Sequence, residues 1–223
     1  MPTVAQIRPL HRLPELRLLV LDDGRRLHVD VEQLARCGLA PGEPLDAEVL
    51  AQLESTDAYL RARRQALRLL ASRPRTVAEM RERLRRRGIP DVHVRAVLRD
   101  LTAAGYLDDL AFARQWIAGR APHGRGVARL RWELREKGAP AAVIEQAIRE
   151  AASREDLSAT EERAARELVA RRARAYAHLA PEARLRRLAG LLERRGFASR
   201  TIARLLRSMR RGAPPDPPDD EPR

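Results

Sequence analysis

Apolar residues recur with one spacing in three stretches of the chain. In each stretch a glycine is preceded by apolar residues at eight and four places and followed by apolar residues at six and ten places. Residues spaced in this way share one face of a helix, and glycine readily adopts the left-handed conformation that ends a helix. The pattern therefore predicts a helix, a glycine turn and a second helix. The three stretches are residues 80–98, 130–148 and 188–206, centred on Gly88, Gly138 and Gly196.

A further helical segment precedes each of these pairs, so each repeat is predicted to contain three helices. One such small unit cannot bury its apolar face well, and tandem units of this kind stack on one another. We therefore predict a mostly α-helical fold in which three tandem three-helix repeats form an elongated array. The predicted divisions are an N-terminal hairpin and connection (residues 1–45), the first helical repeat (46–106), the second (107–155), the third (156–211) and a disordered, acidic, proline-rich tail (212–223).

Alternating apolar and polar residues distinguish the N-terminal part. Residues 26–31 alternate in this way, residues 16–21 are apolar except for Arg17, and an Asp-Asp-Gly turn at residues 22–24 separates the two runs. Asp-Gly between two alternating runs is a hairpin signal. We predict a small β-hairpin here, packed on neighbouring helices because two strands alone are marginally stable. Residues 1–13 show no clear pattern and are expected to be loose.

Polar residues mark where helices begin or break. The Ser-Thr-Asp sequence at residues 55–57 interrupts the apolar pattern of the first long helical segment, and a break is expected there. Thr76 begins a capping-box sequence that ends at Glu79. Asp108 and Asp109 lie directly before a helical stretch, where carboxylates cap amides and interact favourably with the helix dipole. These residues are therefore predicted to start helices rather than to catalyse a reaction.

The charge of the chain favours anionic partners. The formal net charge is +13, and the tail carries four acidic residues against one arginine, so the remainder carries +16. Lys137 is the single lysine, which means that nearly all the basicity is arginine. Such an excess favours binding to polyanions. Arginines that merely solvate helix faces would give the same composition, however.

The densest basic stretch supplies the candidate binding residues. Guanidinium groups bind phosphate and carboxylate oxygens with paired hydrogen bonds, and residues four apart share a helix face. A solvated helix, with Glu133 and Glu136 mixed in, is the alternative interpretation. The candidate contacts are Arg120, Arg125, Arg129, Arg131, Arg135 and Lys137.

Catalytic and metal chemistry find little support in the sequence. Residues 119–126 have the glycine spacing of a phosphate-binding loop, but Arg125 and Gly126 stand where a lysine and a Ser or Thr are needed. The five histidines are isolated and Cys37 is the single cysteine, so neither a metal site nor a disulfide is predicted. We therefore predict a protein that is not an enzyme and has no cofactor. No apolar run reaches the length of about 18 residues that spans a membrane, which favours a cytoplasmic protein.

A set of residues across the second repeat forms a recognisable signature. It comprises Gly105-Tyr106-Leu107-Asp108-Asp109, Phe112-Ala113, Trp116, Arg120, Gly124-Arg125-Gly126, Leu130, Glu133-Leu134 and Lys137-Gly138. This set resembles the signature of the RecX regulatory proteins. The first repeat is similar to the same family in Ala66-Leu67, Leu70, Arg75-Thr76, Glu79, Leu84 and Gly88. The resemblance runs from residue 16 to residue 210 and is weakest in the third repeat.

The resemblance implies a function. RecX proteins consist of tandem three-helix repeats and modulate the RecA recombinase, usually as inhibitors that lie in the groove of the RecA–DNA filament. It implies a regulator that inhibits RecA ATPase and strand exchange in homologous recombination, DNA repair and the SOS response. Its partners would be the RecA filament and, more weakly and non-specifically, single- and double-stranded DNA, with no membrane partner. We further expect a monomer.

The residues themselves leave a different function open. Two helices joined by a short glycine turn can be a helix-turn-helix motif, in which the second helix enters a DNA groove. The alternative is therefore a direct DNA-binding protein or repressor whose repeats resemble helix-turn-helix units.

Overall fold

Helices and strands form where the two apolar periodicities are strongest. The computed structural model describes residues 1–11, 13–154 and 157–211. In these residues the strands are β1 (Val4–Pro9), β2 (Leu16–Leu21) and β3 (Arg26–Asp30). The helices are α1 (Val31–Arg36), α2 (Ala47–Ser72), α3 (Val77–Arg85), α4 (Asp91–Ala103), α5 (Asp109–Ala118), α6 (Val127–Glu136), α7 (Ala141–Arg154), α8 (Leu157–Ala173), α9 (Pro181–Arg194) and α10 (Ser199–Arg210), with a short 3₁₀ turn at Arg174–Tyr176.

The repeat pattern predicted from the sequence is confirmed. Of the twelve apolar positions that define it, eleven are buried and Leu206 is half-buried. Gly88, Gly138 and Gly196 have φ angles of 72°, 75° and 77°, in the left-handed region where glycine ends a helix at little cost. The chain is mostly helical, and its helices form three-helix repeats, α2–α4, α5–α7 and α8–α10.

The chain divides into two compact units. Unit 1 consists of Met1–Pro74 and Glu79–Leu107, and unit 2 consists of Arg75–Ala78 and the chain from Asp108 onward. Within the described ranges, no helix combines the length and the apolar character needed to cross a membrane. The tail at residues 212–223, predicted to be disordered, lies outside the described residues.

Unit 1 begins with a three-stranded antiparallel sheet in the order β1-β2-β3. β2 and β3 form the predicted hairpin, and β1 adds to its edge with Val4 opposite Leu21 and Pro9 opposite Arg17. The expectation that residues 1–13 are loose is therefore wrong. β1 fully buries just one of its six side chains, that of Val4, so no apolar alternation marks the strand in the sequence.

A buried carboxylate joins α2 to this sheet. Asp57 is 1% exposed, and its Oδ1 accepts a hydrogen bond from the His28 backbone N–H at 2.9 Å, with the His28 ring Nδ1 at 2.8 Å. The helix is continuous over Ala47–Ser72, so the predicted break near residues 55–57 is wrong. The apolar pattern is interrupted there because Asp57 binds β3. The helix itself continues through these residues.

Unit 2 contains two apolar cores built almost entirely from aliphatic side chains. The core of α5, α6 and α7 consists of Phe112, Ala113, Ile117, Ala121, Leu130, Leu134, Ala139, Ile144, Ala147 and Ile148. The core of α8, α9 and α10 consists of Ala164, Ala165, Leu168, Val169, Leu188, Leu192, Phe197, Ile202 and Leu205.

The two predicted capping aspartates serve different helices. Asp108 caps α5 as predicted, because its Oδ1 accepts from the amides of Leu110 at 2.8 Å and Ala111 at 2.9 Å. Asp109 lies in the first turn of α5, but its Oδ1 accepts from the amide of Val77 at 2.9 Å. The side chain of Asp109 therefore caps α3, which the sequence spacing alone did not indicate.

In unit 2, the start of α6 lies very close to the glycine turn at Gly196. The N–H of Gly126 donates to the Arg195 carbonyl at 2.9 Å, and the N–H of Ala128 donates to the Gly196 carbonyl at 3.2 Å. A Cβ atom added to Gly126 would lie 2.1 Å from the Gly196 oxygen. Two backbone segments therefore touch here, and there is no space between them for a side chain.

An equivalent contact occurs elsewhere in unit 2. Thr76 and Gly126 occupy the same place in their repeats, twelve residues before the glycine turn. The Thr76 hydroxyl donates to the Lys137 carbonyl at 2.5 Å, and a Cβ atom on Gly138 would lie 2.4 Å from the Cβ of Ala78. In both contacts, residues at the start of a second helix pack on a glycine turn.

Gly126→Ala should destabilise unit 2, because the added methyl group would meet the backbone of Gly196. Overpacking of this kind costs about 1–3 kcal/mol, so the thermal midpoint should fall by several degrees in circular dichroism. Gly190→Ala is the matched control, since Gly190 lies inside α9 and its added Cβ would meet the flexible end of Arg194 at 3.3 Å. That variant should be at least as stable as the unchanged protein. An unchanged midpoint for Gly126→Ala would contradict the tight contact.

Candidate functional site

A buried carboxylate brings together three of the five candidate arginines. Glu133, on α6, is 9% exposed, and its Oε1 accepts hydrogen bonds from Arg125 Nη1 at 2.9 Å and Arg129 Nε at 3.0 Å. Trp116 Nε1 donates to Oε2 at 3.1 Å, and Arg120 Nε lies 3.8 Å from the same oxygen. These five residues are called the Glu133 cluster below.

Two helices and the connection between them position the Glu133 cluster. Trp116 lies in α5, and Arg120 follows the end of that helix. Arg129 and Glu133 are four residues apart on α6, so they lie on the same face of the helix. Arg125 directly precedes Gly126, the N-cap residue of α6. Side chains that are far apart in the sequence meet here because α5 packs against α6.

Tryptophan rings support three of the cations. The Arg120 Cζ lies 3.3 Å from the centroid of the Trp116 ring, and the Lys137 Nζ lies 5.5 Å from the same centroid. The Arg129 Cζ lies 4.2 Å from the centroid of the Trp132 ring. Cation–π contacts contribute about 0.5–1 kcal/mol each at exposed sites. The rings also restrict these long side chains to positions close to Glu133.

Arg131 and Arg135 have different surroundings. Arg131 donates to both carboxylate oxygens of Glu145, on α7, at 2.8 and 3.0 Å. This hydrogen bonding lowers the pKa of Glu145 below its usual value and raises the pKa of Arg131, and the nearby charge of Arg135 lowers the pKa of Glu145 further. Arg135 itself is exposed. Three of the six candidates thus surround Glu133, and Arg131 is held by Glu145.

The Glu133 cluster has a surplus of positive charge. Three guanidinium groups surround one carboxylate, and the Lys137 ammonium lies over the same tryptophan as Arg120. Each guanidinium has five N–H donors, and Glu133 engages one from Arg125 and one from Arg129. Most donors therefore remain for the phosphate or carboxylate oxygens of a partner. Because these side chains are already held in place, they lose less conformational entropy when a partner binds.

The interpretation of Glu133 as a solvated charge is wrong. Glu136 is exposed, as a solvated helix face requires, but Glu133 is buried. The residue lies between Leu130 and Leu134, which are both in the apolar core. A charged residue at the edge of a buried apolar stripe was the signal in the sequence, because such a residue needs partners when it is removed from water.

The backbone of the loop before α6 is engaged in contacts within unit 2. The amide of Gly126 donates to the Arg195 carbonyl and is not available to a phosphate. Gly124 has a φ angle of 74°, which fits a turn between two helices. Over the described residues, no three His, Cys, Asp or Glu side chains come together in a possible metal site.

Glu133→Gln should destabilise the protein, because it leaves three guanidinium groups close together without their counter-charge. Removing hydrogen bonds to a charged group lowers the free energy of unfolding by about 1.5–3 kcal/mol. Because the arginines are partly exposed, we expect a decrease at the lower end of this range. Urea unfolding followed by tryptophan fluorescence measures it. Glu136→Gln removes the same charge from the exposed side of α6 and should change stability by less than about 0.5 kcal/mol. Equal stability of the two variants would show that Glu133 does not organise the cluster.

Two segments match models of known domains. Residues 62–101 match the RecX first three-helix domain, and residues 108–148 match the RecX second three-helix domain. The regulatory protein RecX of Streptomyces coelicolor is 42% identical over 153 residues, which cover 68% of this chain and 78% of that protein. The RecX of Thermobifida fusca is 45% identical over 154 residues, covering 68% of this chain and 80% of the relative.

Solved structures share the fold. A crystal structure of regulatory protein RecX superposes with a TM-score of 0.74 at 20% identity and covers 93% of this chain and 100% of its own. The crystal structure of RecX from Lactobacillus salivarius gives a TM-score of 0.62 at 17% identity and covers 70% of this chain and 98% of its own. The solved structures establish the shared fold, and the sequence matches identify the family. They confirm the resemblance seen in the second repeat, and this chain belongs to the RecX family of regulatory proteins.

Proposed function

We propose that this protein binds the RecA–DNA filament and inhibits RecA ATPase and strand exchange during recombination and DNA repair. It acts as a cytoplasmic monomer and without enzymatic activity of its own. Relatives named regulatory protein RecX support a regulatory role. The observation that carries the proposal is the Glu133 cluster, in which three arginines are held in place with most of their donors unused.

A nucleoprotein filament is a suitable partner for such a cluster. It presents DNA phosphates and many copies of the same protein surface, so anionic groups recur along its length. Arginine binds both phosphate and carboxylate with paired hydrogen bonds. Several weak contacts from one chain then combine, since each later contact is intramolecular once the first has formed.

Inhibition requires selective binding and no chemical step. A ligand shifts a conformational equilibrium by as much as its affinities for the two states differ. If the protein binds a filament state that cannot exchange strands more tightly than the active state, it increases the population of that inactive state. A tenfold preference corresponds to about 1.4 kcal/mol, which one or two guanidinium contacts can supply.

A second candidate function, direct binding to DNA, is favoured by α10. Its exposed face carries Arg200, Arg207 and Arg210, whereas Arg204 is paired with Glu162. A helix with an arginine face can lie along DNA and contact phosphates. The helix has no Asn or Gln, so it lacks the side chains that most often read adenine. Binding of this kind would be insensitive to sequence, which does not suit a repressor.

Replacement of Arg125 and Arg129 together by glutamine should weaken binding to RecA filaments by about tenfold or more, because two charge-assisted contacts are lost. Glutamine is chosen because its amide can still donate to Glu133, whereas an acidic residue would repel it. Binding is measured by fluorescence anisotropy on filaments assembled on single-stranded DNA, with bare DNA titrated in parallel.

Arg163→Gln combined with Arg171→Gln is the matched control. Both arginines are exposed on α8, so this variant loses the same charge from unit 2. It should bind filaments within about twofold of the unchanged protein. Equal weakening in the two double variants would assign the effect to net charge. If binding to bare DNA falls as much as binding to filaments, direct DNA binding becomes the better account.

A further inference from the structure

Unit 1 contains a cavity with an unusual concentration of arginine. Its volume is about 700 Å³, and one wall is a single face of α2 while the other is the turn between α3 and α4. Four guanidinium side chains line it, those of Arg61, Arg64, Arg68 and Arg87. The three arginines on α2 are three and four residues apart, so they follow one another along the same helix face.

The positive charge of this cavity is largely uncompensated. Arg61 Nε lies 2.9 Å from Asp57 Oδ2, an ion pair without hydrogen-bond geometry. Across the described residues, Arg64, Arg68 and Arg87 form no ion pair. Three surplus cations in one cavity repel one another, and an anionic ligand would remove that repulsion.

One arginine that lines the cavity carries a buried donor with no partner among the described residues. Arg64 Nε is out of contact with solvent and donates to no group in the described part of the chain. Buried polar groups in folded proteins are nearly always hydrogen-bonded, so this donor would gain from a ligand group that accepts its hydrogen bond. Arg64 is one of the residues that line the cavity, so a ligand bound in the cavity can contact its guanidinium group.

The repeat pattern explains why the cavity is accessible. In unit 2 the glycine turns at Gly138 and Gly196 are covered by Ala78 and Arg129, which lie at the starts of second helices. The corresponding turn in unit 1, at Gly88, has nothing within 4 Å of an added Cβ atom. The carbonyl next to it, that of Arg87, likewise accepts no hydrogen bond from any described residue, unlike its counterparts in unit 2.

The chemistry of the lining decides between possible occupants. A second copy of this chain would bring the start of α9 to the turn, and that segment carries Arg184, Arg186 and Arg187, which the cavity would repel. A folded protein would need an apolar contact, since the cores of protein interfaces are depleted of charge. Surfaces that bind nucleic acid are much more positively charged, as this cavity is.

We propose that this cavity binds the phosphate backbone of single-stranded nucleic acid, with Arg61, Arg64, Arg68 and Arg87 as the contacts. A single strand is flexible enough to follow the concave surface on which the four arginines lie, whereas the backbone of a duplex is much stiffer. The lining has no tryptophan, tyrosine or phenylalanine on which bases would stack, so binding is independent of sequence. The site is separate from the Glu133 cluster and does not depend on an interaction with RecA.

The test is binding of the full chain to a fluorescent single-stranded oligonucleotide over a range of salt concentrations, without RecA. Arg68→Gln with Arg87→Gln removes two exposed cavity arginines. It should weaken binding about tenfold and reduce the slope of log affinity against log salt by about 1.4, since each lost phosphate contact contributes about 0.7. Arg64→Gln should also weaken binding while leaving the thermal midpoint unchanged or raised, because it removes an unpaired buried donor.

Arg81→Gln with Arg83→Gln is the control, as both arginines are exposed in unit 1 outside the cavity. This variant should keep the affinity within about twofold. Equal losses in the two double variants would overturn the proposal, because net charge would then suffice. An equal loss on a duplex of the same length would overturn the assignment to single strands. Unchanged DNA binding together with weaker binding to an acidic peptide would identify a protein occupant instead.

Discussion

The close packing of helix starts on glycine turns is the constraint on which unit 2 depends. Gly126 and Gly196 approach so closely that a Cβ on either would fall within the backbone of the other segment. Arg125 and Arg129 lie on either side of Gly126, and Gly196 touches the backbone of Arg129 itself. The contact that holds α6 on its neighbour therefore also fixes the two arginines that meet at Glu133. Stability and the placement of the candidate site rest on the same few backbone atoms.

In both units a buried carboxylate is combined with more arginines than it can neutralise. Glu133 receives donors from Arg125, Arg129 and Trp116, and Asp57 forms an ion pair with Arg61, which lines the cavity. Burying a carboxylate is costly unless it is paired, so these residues are fixed by their partners. The remaining cations are held near one another by the fold, at some cost from mutual repulsion. An anionic partner relieves that repulsion on binding, which is the physical basis of the proposed function.

The sequence predicted the parts of the fold that depend on local periodicity. Eleven of twelve apolar repeat positions are buried because the two positions before each glycine, and the two after it, are four residues apart and share a face of their helix. It did not predict β1, which buries one side chain, nor the capping of α3 by Asp109. It indicated five arginines and Lys137 as contacts but not Glu133, the group that organises three of them. These features depend on which elements meet in space, and spacing along the chain does not encode that.

The most direct test of the account is the ssDNA-dependent ATPase of RecA during titration with this protein, with its binding to bare DNA measured at the same salt concentration. A regulator that binds filaments should inhibit at concentrations far below those that saturate the DNA, because the filament offers contacts that bare DNA lacks. Inhibition that appears only when the DNA itself is saturated would contradict the account. The protein would then act by competing for DNA, and RecA would not be its target.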